Sequence, residues 1–110
     1  MANNFDFNKF KPKTMTVTLT DEKKTTLFVN TPDKKLRDNL TAVTENVADM
    51  DEDDLEEALY EVTARVMSRN KQGIEITPER LKELYPDVRY VTAFLEAYIE
   101  FVNEIASEKN

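Results

Sequence analysis

The residues in this chain with the clearest chemical pattern are Asp49, Asp51 and Asp53, alternating carboxylates in the run Asp49-Met50-Asp51-Glu52-Asp53. Their spacing matches positions one, three and five of a calcium-binding loop, whose oxygen ligands surround a hard cation. The match goes no further. The sixth position of such a loop needs Gly for its sharp turn and here holds Asp54, and the twelfth needs a bidentate Glu and here holds Tyr60. The simpler reading is that these carboxylates open a helix, where the unpaired N–H groups and the positive end of the dipole favour negative charge. No metal site is expected.

Other chemistries fail for want of residue types. The chain has no His, no Cys and a single Gly. Ser-His-Asp and Cys-His arrangements are excluded, as are disulfides and thiolate zinc sites. Phosphate-cradling and dinucleotide loops need several glycines. Carboxylate pairs remain conceivable, but with 22 Asp and Glu on a charged chain any one pair says nothing. The expectation is a protein with no catalytic residues and no cofactor, one that works by binding another protein.

The formal net charge of −7 argues against a nucleic-acid partner, because phosphate binding depends on clustered Lys and Arg. Acidity can instead present carboxylates as false phosphates, as a DNA mimic does, or simply keep the protein soluble; the second is the plainer reading. No stretch approaches the ~20 apolar residues of a membrane span, and Met1 to Pro12 lacks the apolar core of a signal peptide, so a cytoplasmic protein is expected. A length of 110 residues suits one domain, read as residues 14–110 behind a flexible arm at 1–13. In that arm Phe5 and Phe7 alternate with polar residues, which suits a short strand, a docking arm or a loose terminus.

The rest of the chain divides cleanly by period. Met15, Val17 and Leu19 alternate with threonines over Thr14–Thr20, and Thr25–Val29 follows the polar link Asp21-Glu22-Lys23-Lys24, so an antiparallel hairpin is predicted. An isolated hairpin is marginal in water and needs helices over its apolar face. Thr31-Pro32-Asp33 reads as a helix start, with Thr31 as cap and Pro32 at the first helical position; its stripe is Leu36, Leu40, Val43 and Val47. A second helix begins inside Asp49–Glu57, carries Leu55, Leu59, Val62 and Val66, widened by Ala58 and Met67, and stops at Gly73. Thr77-Pro78-Glu79 opens a short helix with Leu81, Leu84 and Tyr85. The predicted class is therefore α+β: an N-terminal antiparallel β-hairpin followed by a bundle of three main helices plus one short helix.

The last helix, Asp87 to about Ser107, has two apolar stripes. One is Val88, Val91, Leu95, Tyr98, Val102 and Ile105; beside it run Tyr90, Phe94, Ala97 and Phe101. A surface helix needs an apolar arc only somewhat above ~100°. This one is wider, so the helix either forms the centre of the core or touches something outside its own fold. Self-association into oligomers, with this helix at or near the contact, is expected.

This order of elements resembles the tail assembly chaperones of long-tailed bacteriophages and prophages. The segments that carry the resemblance are Leu55-Glu56-Glu57-Ala58-Leu59-Tyr60-Glu61-Val62, Ile76-Thr77-Pro78-Glu79-Arg80-Leu81 and Phe94-Leu95-Glu96-Ala97-Tyr98-Ile99-Glu100-Phe101. No segment is a tight signature, and no functional residue carries over by motif. The resemblance implies a non-catalytic chaperone in a bacterial host cytoplasm. It would coat the long, helical, apolar tape-measure protein in many copies and leave as tail tube protein subunits arrive. Weak contacts would then run through Val91, Phe94, Leu95, Tyr98, Phe101 and Val102 or their neighbours. The rival reading is an acidic inhibitor or DNA mimic showing Asp49–Glu57 to a basic partner. Many genes of the resembled family are read in two frames, and Glu108-Lys109-Asn110 could be encoded as GAA AAA AAC, which contains the slippery run A AAA AAC. An ordinary charged end is the plainer reading of those residues.

Overall fold

A computed structural model describes residues 13–45 and 47–107. The fold is α+β, an N-terminal antiparallel hairpin followed by helices. β1 (Met15–Thr18) pairs with β2 (Thr26–Val29), Met15 opposite Val29 and Thr18 opposite Thr26. The link between the strands is tied by Asp21, whose carboxylate accepts the Thr25 N–H at 2.8 Å and the Thr25 hydroxyl at 2.6 Å. Those two bonds hold the Asp21 carboxyl below the usual range. Alternation then does what period two requires. Leu27 and Val29 are wholly buried and Met15 and Val17 pack beside them, while Thr16, Thr18 and Phe28 face outward.

The first helix, α1 (Lys34–Glu45), starts later than Thr31-Pro32 suggests. Asp33 is its cap, with Oδ1 accepting the Leu36 N–H at 2.8 Å, and Asp outranks Thr in that role. The Thr31 carbonyl is instead engaged by the Arg69 guanidinium, at 3.0 and 3.2 Å. Leu36, Leu40 and Val43 are buried as expected, but Val47 falls in a short 3₁₀ turn, Val47–Asp49.

The next helix, α2 (Glu52–Ser68), is the hub: α1, α3 (Pro78–Leu84), α4 (Val88–Ser107) and β2 all pack on it. Its buried residues are Tyr60, Val62, Thr63, Ala64, Val66 and Met67, which at 3.6 residues per turn cover roughly 200° of arc. Of the anticipated stripe, Val62, Val66 and Met67 are buried, while Leu55, Ala58 and Leu59 are only half buried. The helix also ends before Gly73. The Arg69 N–H turns back to the Val66 carbonyl at 3.1 Å, and the chain then runs along β2, with the Asn30 N–H donating to the Arg69 carbonyl at 2.7 Å and the Lys71 N–H to the Phe28 carbonyl at 3.0 Å. Gly73 serves that loop with φ +73°.

Thr77 caps α3 as its sequence predicts, accepting the Arg80 N–H at 3.1 Å with Pro78 in the first turn. Three tyrosine hydroxyls lock the layers. Tyr98 Oη donates to the Asn30 carbonyl at 2.9 Å, Tyr60 Oη donates to the Tyr85 carbonyl at 2.6 Å, and Tyr85 Oη accepts the Thr20 N–H at 3.1 Å. One apolar cluster joins hairpin and helices. Among the described residues no helix is long and apolar enough to cross a membrane. The arm read at 1–13, save Lys13, and the tail Glu108-Lys109-Asn110 lie outside the described residues.

Two stability measurements probe this arrangement. Tyr98→Phe should cost about 1–2 kcal/mol in urea unfolding, because it strips the donor from a carbonyl held inside the fold. Burial pushes the Tyr98 hydroxyl up to about 12, against 10.0 ordinarily. A raised folded pKa stabilises the fold below about pH 10 and loses that contribution as pH climbs through about 12; the phenylalanine variant should lack this alkaline segment. Thr63→Val should stabilise, by roughly 1 kcal/mol, since among the described residues Thr63 Oγ1 is buried with no hydrogen-bond partner. A fall in the unfolding midpoint of that variant would show that the hydroxyl is satisfied.

Candidate functional site

Three grooves and one acidic run compete as sites, and their partners decide among them. The groove of about 730 Å³ between the start of α1 and the end of α2 has Leu36, Ala64 and Ile76 among its lining residues, with Arg65 and Arg69 beside them. Those cations are internal braces: Arg65 donates to Asn39 Oδ1 at 2.9 Å, and Arg69 holds Thr31 and approaches Asp33 at 3.5 Å. A second groove, of about 820 Å³, runs past Leu19, Asp21, Ile76 and Arg80. Its Asp21 is spent on Thr25, with Arg80 at 3.8 Å. Neither presents a set of groups fit for proton transfer or nucleophilic attack.

The acidic run sits where helix physics puts it. Asp51 is the N-cap of α2, accepting the Asp54 N–H at 3.0 Å, and Glu52, Asp53 and Asp54 fill the first turn. Asp49 and Asp51–Asp54 are all exposed. Among the described residues no group of three carboxylates is placed to hold a metal ion. Further along α2, Glu57 accepts two bonds from Lys82 Nζ, at 2.9 and 3.1 Å, and these raise the Lys82 pKa. At the start of α4 the Asp87 carboxylate takes the Arg89 guanidinium at 2.7–3.1 Å and the Arg89 N–H at 2.9 Å, which holds its carboxyl down at about 2. Both pairs are exposed braces.

That leaves the stripe on α4, and the structure divides it. Of the six predicted contact residues, Val91, Leu95 and Tyr98 are buried in the core, at 1%, 7% and 0% exposure. An outside partner does not reach them in this conformation. Phe94, Phe101 and Val102 are only partly covered, and so are Ile99 and Ile105. On the neighbouring stripe Tyr90 is 63% exposed, and Ala97 is exposed as well.

The division follows position along the helix. Val91, Leu95, Tyr98, Val102 and Ile105 recur at spacings of four, three, four and three, so they share one face. Cover holds through Tyr98 and then thins, so the same face that is core in the middle of α4 is only partly covered in its last two turns. Phe94 and Phe101 flank Tyr98, each with its ring centroid 6.1 Å away. Beside Val102 a cleft of about 220 Å³ lies between α1 and α4, lined by Pro32, Leu40, Thr41, Thr44 and Ile99 among others. The site is thus an apolar ledge of Phe101, Val102 and Ile105 with a cleft at its side. Ile99 and Ile105 belong to it although the six predicted residues omit them; Ile105 was already visible in the helical spacing.

Comparison with protein-family models, with curated proteins and with solved structures returns no match for this chain.

The acidic run offers a direct check of its structural role. Asp51→Ala should destabilise by about 0.5–2 kcal/mol through loss of the cap, whereas Asp53→Ala, exposed in the same first turn, should change unfolding by less than about 0.5 kcal/mol. Equal effects in chemical denaturation would place the function of the run elsewhere.

Proposed function

We propose that this protein is a non-catalytic binding protein that shelters an apolar helix of another protein against the open end of α4. The observation that carries the reading is the core-facing stripe of α4 continuing through Val102 and Ile105, with Phe101 beside it, where its cover thins to partial burial. An apolar helix laid along that ledge would complete a helix-in-groove contact of the kind that reads side chains at i, i+3 and i+4. The resemblance to tail assembly chaperones supplies the partner: the tape-measure protein of a long-tailed phage, coated in the bacterial cytoplasm until tube subunits replace the chaperone. The net charge of −7 suits that task, because many bound copies would lend an aggregation-prone chain their negative charge.

A second reading draws on the exposed carboxylates at Asp49 and Asp51–Asp54, which an acidic inhibitor or DNA mimic would offer to a basic partner. Salt separates the two. Contacts between exposed charges weaken steeply as the Debye length shrinks, and apolar contacts do not.

Titration calorimetry against helical segments of a tape-measure protein tests the first reading. Phe101→Asp and Ile105→Asp should each weaken binding at least about tenfold, a change of ~1.4 kcal/mol, with wild-type circular dichroism; Phe101→Asp should also lower the unfolding midpoint, because Phe101 packs against the core beside Tyr98. Leu95→Asp should unfold the domain, because it places an unpaired charge in the core. Binding that survives both surface variants, or that vanishes between about 0.05 and 0.5 M salt, would exclude the ledge as the contact.

A further inference from the structure

The three grooves differ in charge. The two larger ones mix signs: Asp33, Glu61 and Glu75 line the first beside its cations, and Asp21, Glu22 and Glu75 line the second beside Arg80. Among the described residues the cleft between α1 and α4 is lined by no carboxylate, and its one charged group is Arg37. In a chain with 22 Asp and Glu against 15 Lys and Arg, that sign runs against the surface as a whole.

Arg37 is also the arginine without a task in the fold. Arg65 holds Asn39, Arg69 holds Thr31, Arg80 reaches Asp21 and Glu83, and Arg89 clasps Asp87. The Arg37 side chain is exposed and has no hydrogen bond or ion pair among the described residues. The cleft's hydroxyls do not compete with it. Thr41 Oγ1 donates to the Arg37 carbonyl at 3.1 Å, and Thr44 Oγ1 turns to the Leu40 and Thr41 carbonyls at 3.1 and 3.0 Å, so both protons stay on their own helix.

Size limits what can enter. A free ligand takes a pocket of ~300–1,000 Å³ that buries most of its surface. This cleft measures about 220 Å³, space on the scale of one large side chain. It is continuous with the ledge, because Val102 belongs to both and Ile99 precedes it by one turn of α4.

We propose that the cleft reads the sequence of the partner helix: one large apolar side chain of that helix seats against Leu40, Ile99 and Val102, and an Asp or Glu one turn from it pairs with Arg37. This rests on the reading of the ledge as a helix contact and adds what the helix must carry. The spacing follows from α1, where Arg37 stands three and four residues before Leu40 and Thr41; residues three or four apart on the facing helix span the same distance. The sign follows from the guanidinium, which only donates and whose planar fork matches a carboxylate. A lysine at that place would meet Arg37 with no carboxylate in the cleft to offset the repulsion. An exposed pair adds little affinity, so Arg37 acts on the choice of partner: it rewards an acid and rejects a cation. Two copies of a chain of net charge −7 repel each other, which favours a helix of another protein over a second copy.

Calorimetry on the full chain with synthetic helices tests this. The probe is an Ala- and Gln-based peptide of about 20 residues, long enough to hold a helix, with a Leu stripe, one central Phe and a Glu one turn before or after it. Matched peptides carry Gln or Lys in place of the Glu. The wild type should bind the better-placed Glu peptide about threefold more tightly than its Gln match and at least about tenfold more tightly than its Lys match. Arg37→Gln should erase that order and Arg37→Glu should reverse it, both with wild-type circular dichroism and no loss of stability. The preference should fade between about 0.05 and 0.5 M salt while binding itself persists. Peptides that bind in an order the Arg37 variants do not alter would overturn the proposal and leave the ledge standing. If no peptide binds, or if binding ignores Phe101→Asp and Ile105→Asp, the ledge reading falls and this one with it. A wild-type dimer that Arg37→Glu disperses in sedimentation velocity would overturn it in favour of a second copy.

Discussion

The backbone of Asn30 is the point on which the layers of this fold converge. Its N–H donates to the Arg69 carbonyl just past α2, and its carbonyl accepts the Tyr98 hydroxyl from the middle of α4. Asn30 directly follows β2, so the backbone of one residue ties the hairpin to the hub helix and to the last helix. A two-stranded sheet alone would not persist in water. It persists here because Leu27 and Val29 are sealed under helices whose placement Asn30 sets. The Tyr98 ring is wholly buried, which makes its hydroxyl a donor that stays protonated far above neutral pH. A phenylalanine in its place would keep most of the packing and leave a part-buried acceptor short of its partner.

The segment after α2 carries the second constraint, and polar side chains supply it. Asn70 donates to the Met67 and Ile74 carbonyls, both at 2.7 Å, and accepts the Ile74 N–H at 2.9 Å. Ser68 Oγ accepts the Ile76 N–H and donates to its carbonyl. A loop that must cross from a helix end to a sheet edge exposes many backbone groups, and each that is buried needs a partner. Here side chains provide those partners, and Gln72 extends the device to the sheet edge. Held by these bonds, the loop runs as a third, partial strand beside β2.

What the sequence made legible was local. The period-two run of β1, the Thr77-Pro78 start and the long apolar helix at the end each follow from a few adjacent residues, and each appears in the structure. Which helix lies at the centre was not legible. Hydrophobic spacing shows which face of a helix is apolar, and Thr63 and Ala64, both buried on α2, do not count as apolar signals. The hub thus looked narrower than the last helix, whose aromatic residues look buried whether or not anything covers them. The same limit applies to the candidate site. Val91, Leu95 and Tyr98 differ from Phe101, Val102 and Ile105 neither in type nor in spacing. They differ in how far the rest of the domain extends along α4, a tertiary fact with no local signature. Helix ends fell between the two cases: both Thr31 and Asp33 are of a type that can cap, Asp33 is the one that does, and Arg69, distant in sequence, engages the Thr31 carbonyl.

The open end of α4 carries a thermodynamic consequence. Helical turns in a small domain are stable mainly through the apolar face they bury, since isolated helices of this length are marginal in water. The last turns of α4 have no basic residue to complement the dipole, and their apolar face is only half covered. They sit at the low end of the domain's stability, where local opening is cheapest. A partner laid on Phe101, Val102 and Ile105 would supply the missing burial but would also have to order those turns, so part of the contact energy goes into completing the helix. Affinity through such a ledge is held down by its own construction. Such weakness would suit the proposed chaperone role, in which many copies would hold one chain and later leave it, because weak single contacts become effective when neighbouring copies are linked along the same chain.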